Sequence, residues 1–434
     1  MTITTWLALL IVAGEWTGLA RGILGAPYYA AILDVVVIAL FGFTAIRAAR
    51  EGRLWPVPLI AVLVGAYMLL AAVQILNPNV PTVLVGLEGY RKTAFTMLAF
   101  FIVLLERRGG ARQFFTVVAI GSVPALLWAI RQSFAPLPFD LAIIETTSAS
   151  PISFHSGAVL RAFSPTAGPF HLGILSAILM IVALVQWRLG SRWWLALAVL
   201  AGVALGMTIT RANIVAAAVG LLAVAALAWG WRERFRFAAG AAPAMAAVLV
   251  ASLIAIGALG SAPGGGPDDP GASPGQDVGE VVGGVANPLQ DRSLQFRFGY
   301  WREYLEAIAE RPVIGYGTSA AADGFDHYYT EDEHVNFEPH SLYFKAALEL
   351  GIGGFVLFAA LLIACAVTCL RSVSSDPRVG LIASGVLVVV GVSGVTGPML
   401  DAYPVNLLFW ATMGWAARQV WAKGRHADVE ALPA

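Results

Sequence analysis

Charged residues are scarce in this sequence. Of its 434 residues only 12% are Asp, Glu, Lys or Arg, whereas 58% are hydrophobic, and the mean hydropathy is +0.76. Soluble globular domains carry about 25% charged residues, so this deficit excludes a soluble protein of this length. The net charge is zero. We expect membrane lipids as partners and no nucleic acid.

Cysteine is also rare, and several catalytic signatures are missing. The two cysteines, Cys365 and Cys369, lie one helical turn apart in an apolar run. This spacing favours a buried pair of small apolar residues over a disulfide or a metal site. The sequence has no glycine-rich nucleotide loop, no zinc-ligand spacing and no Ser-His-Asp order. The acidic residues of segment 323–338 are interpreted as solvated loop charges, so no metal ligand is predicted.

Long apolar segments are abundant. A membrane-spanning helix needs roughly 20 apolar residues, and alternating ten-residue strands, typical of membrane β-barrels, are absent. The sequence therefore predicts an all-α polytopic membrane protein with about twelve transmembrane helices. The predicted spans are 4–20, 28–49, 54–76, 88–106, 112–134, 166–188, 193–208, 210–231, 236–260, 341–370, 378–397 and 403–422.

The basic residues are distributed unevenly. Sixteen of the 27 lysines and arginines lie in alternate loops, near residues 47–53, 107–112, 188–192, 232–236, 371–378 and 418–425. The positive-inside rule makes those loops cytoplasmic. Both termini are then cytoplasmic, and the large 261–340 loop is on the outer side. The predicted organisation is transmembrane helices over 1–260, the outer loop over 261–340, transmembrane helices over 341–422 and a tail over 423–434.

The outer loop has two parts. Residues 261–290 are rich in Gly, Pro and Asp and are predicted to form a flexible linker. The part 291–340 is predicted to be ordered, with an amphipathic helix from Ser293 to Arg311 along the membrane surface. One face of that helix would carry Arg297, Trp301, Tyr304, Leu305 and Ile308, and another would pair Arg302 with Glu306.

Several basic residues do not follow the cytoplasmic pattern. A charge at membrane depth costs roughly 2.5–3.5 kcal/mol on insertion scales, so such residues usually face a polar cavity. The planar donors of arginine match phosphate oxygens. The pattern predicts an outward-facing cavity for a phosphate or pyrophosphate headgroup. The basic residues assigned to it are Arg91, Lys92, Arg131 and Arg211.

Four short runs carry a resemblance to a known family. Residues 340–354, HSLYFKAALELGIGG, combine a His-Ser pair with an apolar helix, a glutamate and spaced glycines. Upstream, Arg297 and Trp301 precede RPVIGYG at 311–317, while TITR stands at 208–211 and RAFSP at 161–165. Taken in their order along the chain, the runs resemble the O-antigen ligase and O-antigen polymerase superfamily. Ser341 departs from the Asn that is common there, but it keeps the capacity to cap a helix.

The resemblance implies a membrane glycosyltransferase of the GT-C type. Its donor would be a glycan on polyprenyl (undecaprenyl) pyrophosphate, and its acceptor a hydroxyl of a lipid, glycan or protein. Transfer would occur on the outer face of the bacterial cytoplasmic membrane, with no cofactor and no divalent metal.

Roles follow from that chemistry as hypotheses. His340 is the candidate base, because histidine titrates near neutral pH. Arg211 and Arg297 would stabilise the leaving pyrophosphate, and direct attack would invert the anomeric configuration. Other candidates for contact with donor or acceptor are Arg161, Arg131, Arg91, Lys92, Glu349, Trp301 and Tyr316. A structural ion pair is an equally good interpretation of Glu349.

Alternatives stay open at this level. Ligase, polymerase and transferase to protein hydroxyls share these motifs and differ only in the acceptor. A polysaccharide-lipid transporter or flippase is the alternative from another class, and the intramembrane acids Glu15 and Asp34 fit it weakly. The clustering of unusual basic residues at one face argues against transport.

Overall fold

The computed structural model describes residues 1–23, 29–53, 57–146, 154–156, 159–228, 230–259, 292–321, 340–401 and 403–430. The predicted linker 261–290 and the acidic segment 323–338 lie outside these residues. Where the chain is described it is almost entirely helical, which confirms the all-α class. Two strands of two residues each, β1 (His155–Ser156) and β2 (Val159–Leu160), pair in antiparallel fashion.

The helices follow the predicted apolar segments closely. In the first half of the chain they are α1 (Ile3–Gly14), α2 (Thr17–Ile23), α3 (Tyr29–Arg50), α4 (Leu59–Val73), α5 (Val83–Thr93), α6 (Leu98–Leu105), α7 (Ala111–Gly121), α8 (Val123–Phe134) and α9 (Pro138–Thr146). They continue as α10 (Pro169–Arg188), α11 (Trp193–Met207), α12 (Arg211–Leu227), α13 (Trp231–Leu259), α14 (Arg292–Glu310), α15 (Leu342–Ser375), α16 (Pro377–Ser393) and α17 (Val405–Glu430). Single turns of 3-10 helix cover Gln74–Leu76 and Phe95–Met97.

Six of the described helical segments are long and apolar enough to cross a membrane. They are Tyr29–Arg50, Leu59–Leu76, Ala111–Phe134, Pro169–Arg188, Trp231–Ile256 and Leu342–Ser375. Shorter apolar helices, among them α11, α12 and α16, occupy other predicted spans. The number of twelve crossings stays a prediction.

The predicted span 88–106 is interrupted. Helix α5 ends at Thr93 and α6 begins at Leu98, with the 3-10 turn between them. The hydropathy of α5 alone is low because Glu88, Arg91 and Lys92 fall within it. The apolar part of this segment is therefore only Phe95–Leu105.

Helix α10 forms the centre of the bundle. It is buried along most of its length, from Leu172 to Gln186, and packs against α11, α12 and α16. Because aliphatic side chains cover every face of α10, it has no polar stripe of the kind that a surface helix shows. Both cysteines, Cys365 and Cys369, are free and buried, as the sequence predicts.

Helix α14 confirms the predicted amphipathic helix, with bounds of Arg292–Glu310 against the predicted 293–311. Tyr304 is buried in a small cluster with Ala307 and Leu348, and Arg302 pairs with Glu306 at 3.1 Å on the exposed side. Leu305, predicted on the same face as Trp301 and Tyr304, is 56% exposed. The position of this helix along the membrane surface stays a prediction.

The bundle has two chemically distinct ends. At one end of the bundle α10, α12 and α15 begin and α16 ends. The predicted site residues lie at this end, so we call it the site end. We call the opposite end the basic end. Its arginines pair with nearby carboxylates, as Arg47 does with Glu51 at 3.0 Å.

Candidate active site

Arg161 is fixed against the turn that precedes α12. Its Nε donates to the Thr208 carbonyl at 2.9 Å, and the guanidinium carbon lies 4.9 Å from the centre of the Phe170 ring. The next residue, Ala162, donates its N–H to the Met207 carbonyl at 3.0 Å. The structure thus brings the RAFSP and TITR runs, nearly fifty residues apart, into direct contact.

The turn itself is tightly built. Ile209 has a left-handed backbone with φ of 51°, which is unusual for a β-branched residue and costs roughly 1–3 kcal/mol. It brings the Thr208 and Thr210 hydroxyls within 2.6 Å of each other. Arg211 follows as the first residue of α12 and is partly buried. Backbone strain next to Arg211 is typical of a functional position.

His340 lies at the start of α15, held to the end of α16. Ser341 caps α15 by accepting a hydrogen bond from the Phe344 N–H, so the expectation that Ser341 can cap the helix is confirmed. Leu342 donates its N–H to the Gly394 carbonyl at 2.7 Å. His340 itself is partly buried. The predicted base therefore occupies a short ordered connection between two helix ends.

A chain of hydrogen bonds connects the Arg211 region to the His340 region. Asn213 donates to the Phe170 carbonyl at 2.9 Å and accepts from the Ser393 hydroxyl at 2.9 Å. Ser393 directly precedes Gly394, the residue that holds Leu342. Arg161, Arg211 and His340 are thus parts of one connected structure at the site end.

The run 311–317 binds to a break in α15. Gly351 interrupts that helix with φ of 68°, which leaves the carbonyls of Leu348 and Glu349 free to accept other donors. The N–H groups of Tyr316 and Gly317 donate to them, each at 2.9 Å. The Ile352 N–H in turn donates to the Pro312 carbonyl at 2.8 Å. Two of the family-like runs therefore form a single unit.

Glycine is required at this junction. A Cβ on Gly315 would lie 2.6 Å from the Gly351 nitrogen, and one on Gly351 would lie 2.4 Å from the Val313 carbonyl oxygen. Both residues also have positive φ. From the other side, Gln74 and Asn77 donate to the Ile314 carbonyl at 2.9 and 3.1 Å.

Aromatic residues line the contact between α14 and α15. Trp301 lies 5.6 Å from Phe344, measured between ring centres. Tyr316 is buried, and its hydroxyl donates to Glu310 Oε2 at 3.0 Å. The guanidinium carbon of Arg311 lies 4.6 Å from the centre of the Tyr316 ring. The backbone of Arg297 belongs to α14, but its side chain lies outside the described part of the structure. The contact of Trp301, Tyr316 and Arg297 with substrate stays a prediction.

Glu349 is fully buried within a charged cluster. Thr93 donates to its Oε2 at 3.2 Å, and Lys345 Nζ lies 3.9 Å from its Oε1. Lys345 also forms an ion pair with Asp401. These contacts show the structural ion pair that the sequence analysis allowed. A small cavity beside the cluster is lined by Tyr67, Thr93, Leu342, Lys345 and Asp401, among others.

The remaining basic candidates are engaged by carboxylates. Arg91 forms an ion pair with Asp34, whose other oxygen accepts from the Tyr403 hydroxyl. Lys92 pairs with Glu88 at 3.2 Å, one turn earlier on α5. The structure therefore gives Arg91 and Lys92 partners within the protein, and their contact with a substrate stays a prediction.

Arg131 is paired with a carboxylate that is closed off from solvent. It forms an ion pair with Asp140, which also accepts from Trp128 at 3.1 Å and Gln132 at 3.0 Å. Burial disfavours the charged form of Asp140, but the hydrogen bonds, led by the one from Arg131, outweigh it and hold its pKa below the usual value. The Gln132 side chain also accepts the Phe163 N–H at 2.9 Å. Arg131 thus supports the segment that carries Arg161.

Sequence reasoning missed several residues at this end. Asn213 and Ser393 are polar positions inside predicted spans, and that contrast is a usable signal. Asp401 lies in the short connection between the last two predicted spans. His171 directly follows Phe170, the residue whose ring contacts the Arg161 guanidinium. The described residues contain no group of three or more His, Cys, Asp or Glu side chains that could hold a metal ion.

Comparison with known proteins gives one family match. A family model described as O-antigen ligase matches residues 196–359. This segment includes Arg211, Arg297, the run 311–317 and His340. No curated protein matches the chain. The match over residues 196–359 supports the resemblance to the O-antigen ligase and polymerase superfamily that the motifs carry.

Proposed function

We propose that the protein transfers a glycan from undecaprenyl pyrophosphate to an acceptor hydroxyl at the outer face of the membrane. One observation supports this above all others. Inside and next to the family-matched segment, two arginines and a histidine converge at one end of the bundle through the bonds from Arg161 to Thr208 and from Asn213 to Ser393. Transporter chemistry does not require that convergence.

The reaction needs a base and a cationic site for the leaving group. The acceptor oxygen attacks the anomeric carbon of the donor and forms the new glycosidic bond, while its proton passes to the His340 imidazole. The bond between the anomeric carbon and the phosphate oxygen breaks, and undecaprenyl pyrophosphate leaves with the electron pair. Arg211 and Arg161 stabilise the negative charge on that oxygen, with Arg297 as a further donor. A single displacement inverts the anomeric centre.

The environment strengthens this electrostatic effect. Apolar helices surround the site end, so charges there are screened less than in bulk water. Fixed arginines then stabilise the leaving group without reorganising. Every step uses side chains of the protein, and on this proposal no divalent metal takes part.

The test is a transfer assay with the purified protein in nanodiscs. Wild type, given undecaprenyl-pyrophosphate glycan and an acceptor, should produce a glycosylated acceptor in EDTA. The His340→Ala variant, inserted to the same level, should give less than about one thousandth of that rate. Equal rates for the two proteins would overturn the role of His340.

The same assay separates the related functions. A ladder of products without added acceptor would identify a polymerase, and a single product that needs added acceptor would identify a ligase. Donor crossing a sealed bilayer with no glycan transfer would instead favour a flippase and contradict the proposal.

The proposed orientation has its own test. Arg302, on α14, is exposed at the site end, whereas Ser374 is exposed near the end of α15 at the basic end. The native cysteines are buried. In intact spheroplasts, an impermeant maleimide should label Arg302→Cys and not Ser374→Cys. The reverse pattern would place the site end in the cytoplasm.

A further inference from the structure

We propose that Asn213 and Ser393 form a positioning pair that sets the pyrophosphate-binding arginines at a fixed distance from His340. The inference rests on the proposed function and adds two residues to its site. Neither side chain is assigned a contact with the reacting atoms. Their effect on the reaction is exerted through the helices that they join.

The pair is closed off from solvent, and both side chains are hydrogen-bonded. Both side chains are completely buried. The Ser393 hydroxyl donates to Asn213 Oδ1 at 2.9 Å, and Asn213 Nδ2 donates to the Phe170 carbonyl at 2.9 Å. One asparagine therefore connects three helices, α10, α12 and α16, at one level of the bundle.

Each end of this connection lies next to a reacting group. Asn213 is two residues after Arg211 on α12. The Phe170 ring supports the Arg161 guanidinium at 4.9 Å. On the other side, Ser393 is followed by Gly394, whose carbonyl accepts the Leu342 N–H at 2.7 Å, two residues after His340.

The surrounding sequence keeps room for the pair. A Cβ on Gly173 of α10 would lie 2.5 Å from Asn213 Nδ2 and 2.4 Å from Thr210 Oγ1. Neither distance is possible for a real side chain. Glycine at 173 thus lets α10 approach the asparagine closely.

The choice of polar residues also has a physical reason. Aliphatic side chains would fill the same space without fixing how the helices slide or rotate against each other. A buried polar pair favours the arrangement in which its donors and acceptors meet, because water is excluded from the helix interior. The cost of leaving either group unbonded holds the helices in that arrangement.

Precise placement is what the reaction needs. The base must reach the acceptor while the arginines hold the leaving oxygen, and a misplacement of about 1 Å can reduce the rate about 100-fold. Loss of the pair should therefore reduce kcat. Binding of the pyrophosphate should change little when only Ser393 is altered, because Arg161 keeps its bond to Thr208.

The experiment compares Ser393→Ala with Ser384→Ala in nanodiscs. Ser384 lies on the same helix and is buried. Its hydroxyl has no hydrogen-bond partner within the described residues, so Ser384 is a matched control. We expect kcat about 10- to 100-fold lower in Ser393→Ala, with Kd for undecaprenyl pyrophosphate within about twofold of wild type. Ser384→Ala should match wild type in both.

A double-mutant cycle with Asn213→Ala tests whether the two residues act together. If they do, the double variant should lose no more kcat than Asn213→Ala alone. Asn213→Ala should also weaken binding of undecaprenyl pyrophosphate, because it releases Phe170 beneath Arg161. If the loss of kcat in the double variant equals the product of the two single losses, the residues act independently and the proposal is wrong.

Folding is separated from positioning by two further measurements. Rates are normalised to the folded fraction, measured by size-exclusion chromatography and thermal unfolding. Ser393→Thr keeps the hydroxyl donor and should retain at least about half of the wild-type kcat. The positioning role is wrong if Ser393→Thr lowers kcat as much as Ser393→Ala does. It is also wrong if the lower rate of Ser393→Ala is explained by a smaller folded fraction. If the wild type transfers glycan and Ser393→Ala has the same kcat, only this inference is wrong. If the wild type transfers no glycan, the proposed function is wrong as well.

Discussion

Asp140 and Glu349 at the site end of the bundle differ in exposure from Glu51 at the basic end. At the basic end Arg47 and Arg53 both contact Glu51, at 3.0 and 2.7 Å, and that carboxylate is more than a third exposed. At the site end Asp140 and Glu349 have almost no exposed surface. Asp140 is bonded by Arg131 from the preceding helix, and Glu349 accepts from Thr93 of α5.

The difference reflects two physical roles. Exposed ion pairs contribute little to stability because water and salt screen them. Buried polar groups carry a large penalty when unbonded, so they specify one arrangement of the helices. The buried carboxylates at the site end therefore specify how the helices around the candidate site residues are arranged.

The largest expected contrast is between arginines at the two ends. Arg211→Ala should lower kcat/KM for transfer by about 100-fold or more, because one fewer cation stabilises the leaving pyrophosphate. Arg236, which is 66% exposed at the basic end and only 3.6 Å from Glu233, is the matched control. Transfer by Arg236→Ala should equal that of wild type. If both variants keep full activity, Arg211 merely contacts lipid.

Two glycines in α15 give the next contrast. Gly351→Ala should destabilise the protein by about 1–3 kcal/mol, since φ is 68° and the added methyl meets the Val313 carbonyl at 2.4 Å. A Cβ on Gly353 would meet no atom within 4 Å, so Gly353→Ala should be neutral or slightly stabilising. Thermal unfolding in detergent measures both. Equal unfolding midpoints would mean that the break in α15 is not required.

A carboxylate at each end supplies the third contrast. Asp140→Asn should destabilise the protein by about 1–3 kcal/mol, because the amide keeps one acceptor oxygen but turns an NH2 group toward the Arg131 and Leu137 donors that bind Oδ2. Glu51→Gln removes an exposed pair and should leave the unfolding midpoint unchanged. A shift for Glu51→Gln as large as that for Asp140→Asn would contradict the comparison.

The smallest effect is a dependence on pH. The pKa of Asp140 is lowered in the folded protein, whereas an unfolded aspartate titrates near about 3.9. The folded state therefore holds its proton less tightly, and the stabilisation is complete above about pH 4 and is lost as the pH falls through the folded pKa. The difference in unfolding midpoint between wild type and Asp140→Asn should shrink from pH 7 to pH 3. A constant difference would show that the charge of Asp140 is not what stabilises the fold.

Local features of this protein were predictable from sequence alone. The apolar periodicity gave α14 within one residue at each end, and the paired Arg302 and Glu306 follow from helical spacing. The Ser341 cap and the burial of both cysteines were also predicted correctly. These features depend on residues within a few turns of one another.

Long-range features were not predictable in the same way. Arg91 pairs with Asp34 across 57 positions, and Tyr403 reaches the same carboxylate across 369. A hydropathy window cannot identify such partners, nor the polar pair of Asn213 and Ser393. It also treats 88–106 as one continuous span, because averaging hides the local break after Thr93. For the site, sequence supplied residue types, and the structure supplied their connections.

The break at Gly351 has a consequence for insertions and deletions. Helix α15 is 34 residues long, about 50 Å if straight, well beyond the roughly 30 Å of a bilayer core. Its first turns are clamped at Leu342 by Gly394 and at Ile352 by Pro312. One residue added between the two clamps would rotate one relative to the other by about 100°. The number of residues from His340 to Gly351 is therefore itself under constraint, even at positions where the side chain is free to vary.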